Sequence, residues 1–159
     1  MKILLTLVFV CSALAAHASI GETKQQVEKR YGKPIKMEID KPADFIGDSI
    51  LVYQWKGYNI CVVYIGGRSE FEQISREDDK RILIPEIEDL LKLQRDGFKR
   101  GKVQDDQKAD AKLWETQNGD RAIYQRDRVS TKRNEYALFV TSRKYEDLVA
   151  AQEAKRKAK

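Results

Sequence analysis

The chain has 159 residues, 35% of them charged and 42% hydrophobic, with a formal net charge of +5. That length suits one domain, or two small halves sharing a core, and excludes a multidomain enzyme. With 9 Gly and 3 Pro the chain is neither collagenous nor low-complexity, and its apolar content excludes wholesale disorder.

The chain opens as a secretory leader. Lys2 precedes an apolar run over 3–16, and Ala16-His17-Ala18 places small residues at both positions that a signal peptidase reads. Residues 1–18 are therefore expected to be removed between Ala18 and Ser19, which makes the protein periplasmic or secreted. The rival reading, a membrane anchor, needs about 20 apolar residues, and this run is shorter. Cys11 follows Phe9-Val10 rather than a small residue and lies inside the apolar run, which argues against a lipid anchor. Cleavage removes the single histidine, His17, and leaves Cys61 as the one cysteine. Intramolecular disulfides, histidine-dependent triads and Cys/His zinc sites then drop out together, and no metal or cofactor is expected. Within Ile60-Cys61-Val62-Val63, Cys61 reads as a small buried hydrophobe rather than a reactive thiol.

The first helix is announced by Thr23-Lys24-Gln25-Gln26, a capping-box pattern followed by Val27 and Tyr31 on one stripe and by Gly32 and Pro34 as stop signals. After a polar connection, strands are expected over 50–55, 58–65 and 68–75, joined by Lys56-Gly57 and Gly66-Gly67. Two-residue turns would sort the side chains by parity. One face then carries Leu51, Tyr53, Trp55, Tyr58, Ile60, Val62, Tyr64 and Phe71, and seats the helix. The other mixes Ile50, Val52, Cys61, Val63 and Ile65 with Gln54, Asn59, Arg68, Glu70 and Glu72. That mixed face is either open for contact or buried against the second half. A second round follows: a helix led by Pro85 with Ile84, Ile87, Leu90, Leu91 and Gln94 on one side, then Gly97, with Phe98 placed to touch Leu93. Strands are expected over 113–116, 122–124 and 136–141, with Asn118-Gly119 as a hairpin turn, and a last helix from Arg143 holding Tyr145 and Leu148 inward. The fold class is thus α+β: two helix-plus-three-stranded antiparallel meander units (19–80 and 81–142) packed together, with a C-terminal helix and basic tail over 143–159.

The stretch Ile20-Gly21-Glu22-Thr23 through Val27 to Gly32-Lys33-Pro34 resembles the G-x-T-x-x-x-V…G-x-P helix of small outer-membrane assembly lipoproteins of the BamE/SmpA type. The same helix-plus-meander unit occurs in tandem in secreted β-lactamase inhibitor proteins. The resemblance implies helices on one side of an antiparallel sheet and an open side that binds another protein. The lipoprotein cysteine is absent from its expected position, and the disulfides typical of the inhibitor branch cannot form, so neither specific role is carried over.

Catalytic patterns are weak. The side chains of adjacent carboxylates diverge, so neither Asp78-Asp79 nor Asp105-Asp106 makes an acid–base dyad, and the second pair lacks calcium-loop spacing. Nothing near Ser130 and Lys132 looks like a nucleophile elbow. Charge is more telling. Residues 19–80 carry 10 basic and 11 acidic side chains, whereas 81–159 carry 19 and 14. The basic residues of the second half either form solvated patches or draw the protein to an anionic surface of lipid or acidic glycan; compartment argues against nucleic acid. The favoured function is non-catalytic binding of another envelope or extracellular protein through Gln54, Asn59, Arg68, Glu70 and Glu72. The alternatives are an anionic-surface binder using the basic half and a small histidine-independent enzyme.

Overall fold

The computed structural model describes residues 20–37, 45–94, 97–101, 111–126 and 136–158. The expected leader and its junction at Ala18-Ser19 lie outside them, as do Asp105-Asp106, Arg128, Ser130 and Lys132-Arg133. Within the described residues the chain is α+β, and no helix there is long and apolar enough to cross a membrane.

Helix α1 (Lys24–Tyr31) starts where the capping box places it. The Gln26 amide donates to the Thr23 hydroxyl, and the Thr23 amide donates to the Gln26 side chain at 2.9 Å. Gly32 ends the helix at φ 87°, with its amide on the Glu28 carbonyl. Val27 and Tyr31 are the buried residues of the helix, as their spacing requires. Helix α2 (Ile84–Gln94) likewise buries Ile87, Leu90, Leu91 and Gln94. Phe98 is half-buried against the core, while Leu93 is exposed.

The strands are β1 (Lys36–Met37), β2 (Ser49–Trp55), β3 (Tyr58–Ile65), β4 (Arg68–Arg76), β5 (Lys99–Arg100), β6 (Lys112–Glu115), β7 (Arg121–Arg126) and β8 (Tyr136–Thr141). Each half therefore has four strands rather than three, because a two-residue strand pairs outside β2 and another outside β6. The strands form one antiparallel sheet in the order β1-β2-β3-β4-β8-β7-β6-β5, so the two halves meet edge to edge through β4 and β8. The described second half does not stack on the mixed face of the first. Lys56 and Gly57 both take positive φ in the β2–β3 turn, and Gly66 and Gly67 do so in the next. Asn118-Gly119 instead sits in a longer loop closed by the Thr116 amide on the Asp120 carbonyl.

Parity holds through β2 and β3 but fails within β4. Tyr64 faces Ser69, as the glycine turn requires, but Val63 faces Phe71 and Val62 faces Glu72. Glu70 is the extra residue of a bulge, and from there onward the side chains change face. Phe71 thus leaves the expected helix-facing side, and Glu72 enters it. One register row on that side now reads Leu51, Val62, Glu72, Val140, Ala122, Trp114. All six are buried beneath α1 and α2.

Helix α3 (Arg143–Lys157) is N-capped by Ser142 and lies on the opposite face. Tyr145 packs on Phe71 at 5.2 Å between ring centroids, and Lys144 pairs with Glu70 at 2.9 Å. Leu148, expected inward, is 39% exposed, and α3 has no fully buried residue.

Deleting Glu70 removes the bulge but leaves Phe71 opposite Val63 and Glu72 opposite Val62, so cooperative unfolding and the near-UV circular dichroism spectrum should both survive the deletion. Glu70→Ala keeps the residue count, removes only the ion pair with Lys144, and should cost about 1 kcal/mol or less by urea denaturation.

Candidate functional site

The five residues expected to form one surface are dispersed. Gln54 is exposed and faces Asn59 across the ladder at the Lys56-Gly57 end of the sheet. Asn59 opens onto a polar crevice of about 100 Å³ with Ser75, Arg76, Asp79, Lys80 and Tyr136. Arg68 sits at the other end, donating to the Gly21 carbonyl at 3.0 Å. Glu70 is engaged by α3, and Glu72 is on the wrong side of the sheet for the proposed face. Gln54 and Asn59 are brought together; the other three are separated from them by sheet length, by α3, or by the sheet itself.

Glu72 belongs to a buried polar cluster that neither helix makes alone. Its carboxyl accepts from the Tyr31 hydroxyl of α1 at 3.2 Å and from the Gln94 side-chain amide of α2 at 2.8 Å. The Gln94 amide also donates to the Tyr31 oxygen at 3.2 Å. Tyr53 and Tyr64 share a hydroxyl contact of 3.0 Å beside them. Burial, and then the neighbouring Glu72 charge, hold the Tyr31 phenol far above its ordinary range; burial and the Tyr53 contact do the same for Tyr64. Both remain neutral hydrogen-bonding groups across the physiological range. Glu22, just ahead of α1, pairs with Arg30 in the last turn of that helix; burial raises the Glu22 pKa while the arginine opposes that rise. This constellation is closed off by α1 and α2 and fastens them to β4.

Asp78 is held well below the usual carboxylate range by the Arg76 guanidinium, which donates to it at 2.9 and 3.1 Å. The same Arg76 reaches Glu86 at 2.8 Å, so Asp78 belongs to a surface ion-pair group at the start of α2. Among the described residues, no group of three or more His, Cys, Asp or Glu is arranged to hold a metal ion.

The opposite face of the sheet carries a second register row: Val52, Cys61, Gln73, Phe139, Ile123 and Leu113. Every member is half-buried, in contrast to the buried row behind it. Helix α3 occupies the adjacent row, where Tyr145 meets Phe71 and Glu146 reaches Thr141 at 2.9 Å and Arg121 at 3.1 Å. Arg121 also pairs with Glu115, so charge borders that end of the apolar row. Burial pushes the Cys61 thiol up to about 11, consistent with a packing role rather than a reactive one. Val52 and Cys61 were legible as members of this face; Leu113, Ile123 and Phe139 were not, because only the β4–β8 pairing extends the face across both halves.

No protein-family model and no curated protein matches the sequence. Among solved structures, the chain is similar to a cysteine-rich secretory protein from Staphylococcus aureus subsp. aureus Mu50, at 14% identity and a TM-score of 0.44. The match covers 77% of this chain and 44% of that one, so this chain spans less than half of that protein's length. A likeness of that degree assigns no function.

Removing one partner from the buried cluster strands the others. Gln94→Leu should cost about 1–3 kcal/mol, because it takes a donor from Glu72 while that carboxyl remains inside the core. The double variant Glu72→Leu/Gln94→Leu should lose less than the sum of the two single losses, since matched apolar groups replace a matched polar pair. Guanidinium denaturation of the four proteins checks this; strict additivity would show that the two side chains are not coupled.

Proposed function

We propose that this chain is an exported, non-catalytic binding module that docks another protein on the sheet face opposite α1 and α2. The observation that carries this reading is the half-buried row from Val52 to Leu113, which crosses six strands of the continuous sheet beside the row where Tyr145 of α3 packs on Phe71. A strip of five apolar side chains and Gln73, with charged borders, has the arrangement of a protein interface, a largely apolar centre within a polar rim. Here the rim is supplied by Glu70–Lys144 and by Glu115–Arg121–Glu146. The contact surface therefore centres on Cys61, Phe139 and Ile123 rather than on Gln54, Asn59, Arg68, Glu70 and Glu72.

The resemblance to BamE/SmpA-type lipoproteins and tandem β-lactamase inhibitor proteins supports the same reading at the level of architecture. Each half is read as a helix-plus-meander unit, α1 with β1–β4 and α2 with β5–β8, and the units join so that their helices share one side. Export rests on the leader over 1–18. A second reading is favoured by one feature of α3: Lys155, Arg156 and Lys157 fill its last turn, and its C-terminal half is mostly exposed. Attraction of that turn to an anionic envelope surface would weaken steeply with salt, whereas docking on an apolar strip would not.

A benzophenone cross-linker placed at Ile123 should capture a protein in cells, at a yield little changed by salt. The same group at Leu93, which is exposed on α2, should not capture that protein. Equal capture from both positions, or capture from neither, would remove the sheet face from the account.

A further inference from the structure

We infer that the β5 end of the sheet is a second docking site, for an extended peptide segment with a large apolar side chain and, two residues on, a carboxylate. This site lies on the helix side of the sheet, so it is separate from the face proposed above. A cavity of about 250 Å³ opens between α2 and the β5–β6 ladder. Leu91, Phe98 and Trp114 form its apolar floor, and Glu88, Lys92 and Arg100 stand at its rim. Leu91 and Trp114 are 3% and 2% exposed, so the floor is fixed by the core and not by mobile side chains. The cavity has room for a leucine or phenylalanine side chain.

The rim charges select the neighbour of that anchor. Lys92 is already paired with Asp89 at 2.8 Å, and Glu88 lies within electrostatic reach of Lys92. Arg100 is exposed and makes no ion pair among the described residues. It faces Trp114 directly across the ladder, which puts its side chain on the cavity side. The chemistry that completes this rim is a carboxylate opposite Arg100.

Backbone geometry selects an extended ligand. β5 is the terminal strand of the described sheet, with β6 as its ladder partner. Terminal strands recruit added strands through main-chain hydrogen bonds, while alternate side chains supply specificity. Phe98 and Arg100 are two residues apart and share a face, so an added strand presents its own residues to them in the same alternation. An apolar residue and an acidic residue spaced i, i+2 therefore match Phe98 and Arg100.

The test uses the peptide acetyl-Ser-Phe-Thr-Glu-Ser-amide and the full chain carrying Trp55→Phe, which leaves Trp114 as the sole tryptophan. Saturable change in Trp114 emission is expected, with affinity falling about tenfold in Arg100→Glu and by a similar factor when alanine replaces the peptide's phenylalanine. Exchanging the peptide's glutamate for lysine should restore binding to Arg100→Glu. Anisotropy of a fluorescein-labelled peptide on the unsubstituted chain gives the same reading without the tryptophan change. Ile123→Glu, on the opposite face, should bind the peptide normally even if it abolishes docking there. No saturable binding at about millimolar peptide, equal binding by Arg100→Glu, or equal binding of the alanine peptide would each overturn the proposal.

Discussion

Glu70 is held out of the β3–β4 ladder, and every residue of β4 beyond it points to the side opposite to that dictated by the Gly66-Gly67 turn alone. The bulge shapes both surfaces of the sheet at once. On one side it delivers Glu72 into a row otherwise made of Leu51, Val62, Val140, Ala122 and Trp114. On the other it delivers Phe71 to the aromatic contact with Tyr145 that seats α3. A carboxyl in an apolar row is costly unless it is hydrogen-bonded, and α1 and α2 each send one donor to its Oε2 oxygen. Tyr31 and Gln94 thus make helix placement depend on strand register.

That coupling explains how two short halves behave as one body. Val27, Tyr31, Ile87, Leu90 and Leu91 belong to a single hydrophobic cluster with strand residues from both sides of the β4–β8 junction. With α1 and α2 gathered on one side, α3 packs on the other, and none of its residues is fully buried. The half-buried row on that side follows from the same arithmetic: eight strands, two helices on one face and a partial cover on the other. The half-buried row and the fold have a common origin in where the helices are allowed to sit.

Much of the local structure was legible in the sequence. The Thr23 and Gln26 box, the Gly32 stop, the apolar stripe of α2 and the two glycine-containing turns are short-range signals, written within a few residues of where they act. The bulge is different. Glu70 resembles any other polar residue in an alternating strand, and only the demand of β8 for in-register pairing with β4 distinguishes it. The same blindness applies to β1 and β5, whose two residues pair with strands already formed and carry no periodicity of their own. Leu148 was misplaced because α3 has too few apolar positions to define an inward side.

The candidate surface was less legible than the fold, for the same physical reason. Face assignment in a strand is a parity count, and one extra residue inverts everything downstream. Glu72 was therefore assigned to the contact face when it lies in the core, while Phe139 and Ile123 could not be assigned until the long-range pairing joined the halves. Cross-strand backbone nuclear Overhauser contacts between β3 and β4, measured on isotopically labelled protein, test the register without altering it. Val62 is expected opposite Glu72 and Val63 opposite Phe71. Contacts that instead place Val62 opposite Phe71 would remove the bulge, the buried polar cluster and the assignment of the two faces together.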